Sequence, residues 1–257
     1  MRVGGVRFGI GVFFGALNFM PMNVRALDAE AALKQLMHEQ YGAYSTSAKG
    51  WPYAADGTSY VMKVIQSRKI ATPYGDRLYL FAAGSVVKGG SHAQSGLAGA
   101  FVLEEKEGRV SLVAGSKAMP YGSFGDAPDS VQLMQFGPDH YYGWLYQSGY
   151  TGNGFTSSYN DVLLPKGKGV AALASIPSHM DNEGVTPCDD KATKAQCESL
   201  DFDLKIDAAA KDVKVYPLVV TRTGIQKGHE TRPMIWRIEF DDKKWQYRVP
   251  AALKVQY

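Results

Sequence analysis

Period-two alternation runs through the second half of this chain, and it restricts the chain to folds built from strands. Phe202, Leu204 and Ile206 alternate with Asp201, Asp203, Lys205 and Asp207, the pattern of a strand with one apolar and one charged face. Met234, Trp236, Ile238 and Phe240 alternate in the same way with Ile235, Arg237, Glu239 and Asp241. The turn Asp241-Asp242-Lys243-Lys244 then returns the chain as a strand over 245–249. Upstream, 77–87 holds the continuous apolar run Leu-Tyr-Leu-Phe-Ala-Ala, as a strand buried on both faces would. Hairpins are expected where 97–104 meets 109–114, 131–136 meets 141–147, and 159–164 meets 170–176, each across a short turn-forming link. Strands over 60–66 and 213–221 complete the set, and 45–56 reads as a loop anchored by Trp51-Pro52-Tyr53. One helix precedes them: Asp28 is its N-cap, Leu33, Leu36, Met37 and Tyr41 share a face, and Gly42 ends it.

About twelve strands with one N-terminal helix predict an all-β, mainly antiparallel fold, a β-sandwich or a curved antiparallel sheet. A small β-propeller is the alternative, weakened by the lack of an internal repeat. Alternating strand and helix units are absent, which excludes a doubly wound fold.

Residues 1–26 have the pattern of a secretory signal peptide: Arg2 and Arg7, an apolar run over 8–19, and Val24-Arg25-Ala26 as the cleavage site. The apolar run is too short to span a bilayer, which takes about 20 residues. On this reading 27–257 is a single mainly-β domain, periplasmic or secreted, with no transmembrane segment. Residues 1–26 carry three of the 28 basic residues and none of the 25 acids, so the remainder has 25 of each. A nucleic-acid partner is therefore not supported. Cys188 and Cys197, nine positions apart, predict one local disulfide pinning a polar loop near 178–200.

Catalytic and cofactor motifs are missing. Gly122-Ser123-Phe124-Gly125 is not a nucleophile elbow, and the His-Glu pairs at His38 and His229 lack a second histidine four positions on. Gly149-Tyr-Thr-Gly-Asn-Gly154 has the wrong spacing for a nucleotide loop, and no cofactor is expected. His92, between serines on a glycine-rich stretch, is the one candidate acid or base. Asp181, Asn182 and Glu183 offer hard oxygen ligands beside the cysteine loop and are the calcium candidates, though no metal motif is complete.

Aromatics and glycines interleave most densely between Pro120 and Pro165. On a strand, Tyr142, Trp144 and Tyr146 share one face, and Tyr141, Gly143 and Leu145 the other. If only one face packs on the core, the other is a recognition surface, with Tyr141, Tyr142, Trp144, Tyr150 and Phe155 as its candidates and Phe155 at the tip of a mobile loop. The expected function is a non-enzymatic binding protein of the cell envelope, inhibitor- or immunity-like, with a protein or glycan partner. The alternatives are an exported hydrolase acting on glycan or peptide, favoured by His92, His140 or His179 clustering with carboxylates in one cleft, and a purely structural envelope domain, favoured by burial of Tyr141, Tyr142 and Trp144 together.

Overall fold

Two-residue turns set the strand order. Asp56-Gly57, Glu107-Gly108, Asn153-Gly154 and Lys227-Gly228 place both of their residues at positive φ. That geometry twists with the flanking strands and folds the chain straight back on itself. In the computed structural model, which describes residues 28–88, 90, 91, 94–127 and 130–254, they help to produce two antiparallel meanders. The expected signal peptide lies outside the described residues.

The first meander is β1 (Trp51–Ala55), β2 (Thr58–Thr72), β3 (Gly75–Val86), β4 (Gly96–Lys106) and β5 (Arg109–Tyr121), paired in that order. The second runs β6 (Gln132–Gly137), β7 (Tyr141–Gly152), β8 (Phe155–Lys166), β9 (Gly169–Asp181), β10 (Ser199–Ile206) and β11 (Leu218–Gln226). Its last edge is the interrupted pair β12 (His229–Glu230) and β13 (Met234–Ile238), both on β11. A short hairpin of β14 (Phe240–Asp241) and β15 (Gln246–Tyr247) follows.

The sheets form a sandwich whose second member curls into a half-barrel, not the radial blades of a propeller. As the apolar run predicts, Leu78 to Ala83 of β3 are all buried. Leu78, Leu80 and Ala82 meet helix α1 (Ala29–Tyr41), and Tyr79, Phe81 and Ala83 meet the second sheet. Asp28 caps the helix by accepting from the Ala31 amide at 3.1 Å, and Leu36, Met37 and Tyr41 bury its inner face. Between the sheets, Ala83, Ala98, Ala100 and Ala114 leave room for Tyr79, Phe81 and Trp144. Small residues opposite large ones are how such a layer reaches close packing. A second core lies within the curl, where β8 to β11 and β13 enclose Phe136, Ile176, Met180, Phe202 and Leu218. Phe240, Trp245 and Tyr247 of the final hairpin pack edge to face with one another or with Tyr141 across its side.

The strands differ from expectation mainly at their ends. The expected 45–56 loop contains β1, with Tyr53 packed 5.3 Å from Tyr41; Pro52, which has no amide to donate, is tolerated because β1 is an edge. The strand expected over 213–221 begins only at Leu218. Before it, Val215 is buried and the Tyr216 amide donates to the Phe136 carbonyl at 2.6 Å, so this segment serves as a strap across the sheet instead.

Candidate functional site

Strand β7 belongs to both cores in its first half. Trp144 has 0% exposure and lies 5.8 Å from Tyr79 and 6.3 Å from Phe81. Its expected place on a recognition surface is therefore corrected: the indole is interior packing. Tyr142 tilts against Tyr79 at 5.7 Å, on the same side. On the opposite side Tyr141 packs edge to face on Trp245, and its hydroxyl donates to the Pro165 carbonyl at 2.5 Å. Burial pushes the Tyr141 hydroxyl up to about 12. The strand is covered on both faces because the curl supplies a second core, which the one-core reading did not anticipate.

The second half of β7 is different. The pairing of β6 with β7 stops at Gln132 opposite Leu145, while β7 runs on to Gly152. Tyr150 is 53% exposed, its ring lying against Gly152, where a Cβ would collide with it. Phe155 is not on a mobile loop: it opens β8 opposite Gly152 and is half-buried. The tight turn between them, Asn153-Gly154, docks on the segment after β9, where the Gly184 amide donates to the Gly154 carbonyl at 3.1 Å. A Cβ on either glycine would meet the other backbone at under 3 Å, so this approach needs glycine on both sides. Val185, 51% exposed, sits beside the contact.

That docking segment is braced from within. Asn182 is buried; its side-chain nitrogen donates to the Gln196 carbonyl at 3.0 Å and its oxygen accepts from the Glu198 amide at 2.8 Å. Cys188 and Cys197 form the expected disulfide, with their Cα atoms 5.1 Å apart. The Gly228 amide of the β11–β12 turn donates to the Cys197 carbonyl at 2.9 Å, tying a third turn to the assembly. Of the calcium candidates, Asn182 spends its side chain on these bonds, and Asp181 faces the Glu183 amide and His179. Glu183 is exposed. No group of three or more His, Cys, Asp or Glu side chains in a metal-holding arrangement occurs among the described residues.

His179 is one of the three histidines whose clustering with carboxylates the hydrolase alternative calls for, and the pairing of β9 with β10 gives it partners. Asp201 stands opposite it, with Nδ1 and Oδ1 2.7 Å apart, and Asp181 reaches Nε2 at 3.0 Å. Burial alone would lower the imidazole pKa, but the two carboxylates together outweigh it and raise it. Asp201 and Asp203 are exposed, as their alternation predicts, and Asp207 pairs with Arg237. His140 stays apart, half-buried at the β6–β7 corner, and His92 lies outside the described residues.

The structure thus brings Tyr150, Phe155, Asp181, Asn182, Glu183 and the disulfide to one end of the curled sheet, buries Trp144, and packs Tyr141 and Tyr142, both half-buried, against the two cores. No helix among the described residues is long and apolar enough to cross a membrane. Compared with protein-family profiles, with curated proteins and with solved structures, the chain matches none of them.

Proposed function

We propose that this protein is an exported, non-enzymatic binding protein of the cell envelope, engaging a protein or glycan partner with the braced end of its curled sheet. The observation that carries the reading is the exposure of Tyr150 and Val185 on backbone held by glycine-to-glycine docking and a disulfide. Exposed apolar side chains on a rigid frame lose little freedom when a partner covers them, which favours affinity. Exposed charges of both signs lie on the segment that follows β9, Glu183, Asp189 and Asp190 with Lys191 and Lys194. A partner surface with a small apolar socket and a polar rim of mixed charge complements this end.

The test is capture. The purified protein and a folded Tyr150→Ala/Val185→Ser variant are immobilised side by side and exposed to envelope and secreted fractions of the host. A protein or glycan retained by the wild type and lost by the variant supports the reading; equal retention by both moves the binding surface elsewhere, and no specific retention by either removes the reading.

One observation favours a hydrolase as second reading, the clustering of His179 with Asp181 and Asp201. Both imidazole nitrogens are held by those carboxylates, which leaves neither free to take a substrate proton. The arrangement suits a cross-strand clamp better than a general base. A His179→Asn variant that loses a hydrolytic activity of the purified wild type would reverse this preference.

A further inference from the structure

The inner face of the curled sheet is apolar along the first half of β11, and then an arginine stands where the next aliphatic residue would be. Leu218 and Val220 are fully buried in the second core, and Arg222 follows them on the same face. Its neighbours across the ladder are apolar as well: Phe202 stands opposite it on β10 and Met234 on β13. The Trp236 ring, one residue pair further along β13, lies 5.9 Å from the guanidinium carbon.

This guanidinium has no anion beside it. It takes part in no ion pair among the described residues, and its one hydrogen bond runs from Nη2 to the Met234 thioether at 3.1 Å, a weak acceptor. Its Nε–H is buried without a partner. Strand alternation is the cause. Asp201 and Asp203 flank Phe202 on β10 but belong to the opposite face, where Asp201 meets His179 and Asp203 pairs with Lys205 at 3.0 Å. Arginine stays charged throughout the physiological range, and an unpaired charged donor away from water destabilises a fold. Leucine or methionine at 222 would continue the apolar face without that penalty.

The surroundings define the missing anion. β13 is the last strand on its side of the sheet, and Met234 is 44% exposed, so the guanidinium is approached from an open edge. The thioether on Nη2 belongs to a flexible side chain partly in water, and a stronger acceptor can displace it. The guanidinium fork matches the two oxygens of a planar carboxylate. A phosphate dianion needs more donors converging on it, and Phe202, Met234 and Trp236 supply at most an indole N–H. Arg232, exposed two residues before Met234, adds positive potential to the approach. We propose that Arg222 and Trp236 form a binding site for a carboxylate carried on an apolar body, aliphatic or aromatic. The carboxylate takes the Arg222 fork, and the apolar body lies along Trp236 and Met234. The site goes beyond the partner surface and uses neither Tyr150 nor Val185. The competing account is structural, with the guanidinium only capping the end of the core through its contact with Trp236.

The experiment titrates the purified protein by calorimetry with octanoate and phenylacetate, beside octanamide and phenylacetamide as neutral counterparts, acetate and inorganic phosphate. The apolar carboxylates should bind at submillimolar concentration. The amides should bind at least about 10-fold more weakly, since they lack the charge that the fork pairs with, and acetate should be weak for want of an apolar body. Arg222→Met should weaken the carboxylates about 10- to 100-fold, as loss of a charge-assisted hydrogen bond implies. Without ligand it should melt no lower than the wild type, because it removes an unpaired charge from an apolar face. Arg222→Lys keeps the charge without the fork and should bind more weakly than the wild type; it carries the test if Arg222→Met folds poorly. The inference is overturned by no carboxylate binding at millimolar concentration, by amides binding as well as carboxylates, by a preference for phosphate, or by binding indifferent to both substitutions. No binding together with a lower melting temperature of Arg222→Met would establish the structural account. The Tyr150→Ala/Val185→Ser variant should bind the carboxylates like the wild type, so a failure of partner capture and a failure of this site are read separately.

Discussion

Replacing Trp144 with alanine separates core from contact surface within the aromatic stretch. The indole has no exposed surface and is enclosed by Tyr79, Phe81 and the alanines between the sheets. Its removal forfeits the transfer energy of a large side chain and leaves a cavity that neighbouring strands, fixed by their own ladders, cannot close. Substitutions of this kind cost about 3–5 kcal/mol. For a chain of this size each kcal/mol lowers Tm by about 2–4 °C, so Trp144→Ala should melt roughly 6–20 °C below the wild type. Tyr150→Ala removes a ring that is already half in water, and should cost no more than about 1 kcal/mol. The assay is urea unfolding followed by far-UV circular dichroism, with thermal melts alongside and partner capture measured in the cold, where both variants remain folded. Trp144→Ala should be unstable yet capture normally; Tyr150→Ala should be stable and capture poorly. Trp144→Ala costing less than about 1 kcal/mol while abolishing capture would refute the assignment of β7's first half to the core.

Three further outcomes follow from the braced end. Reduction of Cys188–Cys197 should lower stability by about 2–3 kcal/mol, the chain-entropy value for so short a loop, read as a shift in the urea midpoint; intact-mass alkylation showing two free thiols in exported protein would contradict the bridge. Gly154→Ala should destabilise by more than about 1 kcal/mol, because the position has φ +79° and a Cβ there would meet Gly184 and Val185; an unchanged melt would dismiss the docking contact. The raised His179 pKa means that folding takes up a proton. The clamp's stabilisation is fully present below the unfolded value of about 6.5 and is lost as pH rises through the higher folded value. With a side chain 37% exposed the effect is modest, and it should appear as a decline in the urea midpoint above pH 6.5 that His179→Asn flattens.

Periodicity and turn chemistry made most of the fold legible. Alternation in residues 201–207 and 234–238 names strands because a side chain on a pleat must point to one face or the other. The unbroken apolar run of β3 announced layers on both sides. Asn153-Gly154 is a strong short-range hairpin signal, and reading it as a flexible tip displaced Phe155 from the start of β8. What local pattern does not carry is how many cores a strand serves. Tyr142 and Trp144 alternate with Tyr141 and Leu145 in a way that fits one buried and one open face, and the second core is closed only when β8 to β11 and β13 curl round together. The His179–Asp201 contact depends on the register of β9 against β10, which the intervening disulfide loop fixes and no spacing encodes. The same reasoning explains why the open part of β7 was the harder part to find. Exposure there comes from an absence, the early end of β6 opposite Leu145, and the residues it uncovers (Gln147, Ser148 and Tyr150) have a composition no different from that of an ordinary edge strand. On the proposed reading the contact surface begins where a neighbouring strand stops, so the decisive experiments are those that compare the covered half of β7 with the uncovered half.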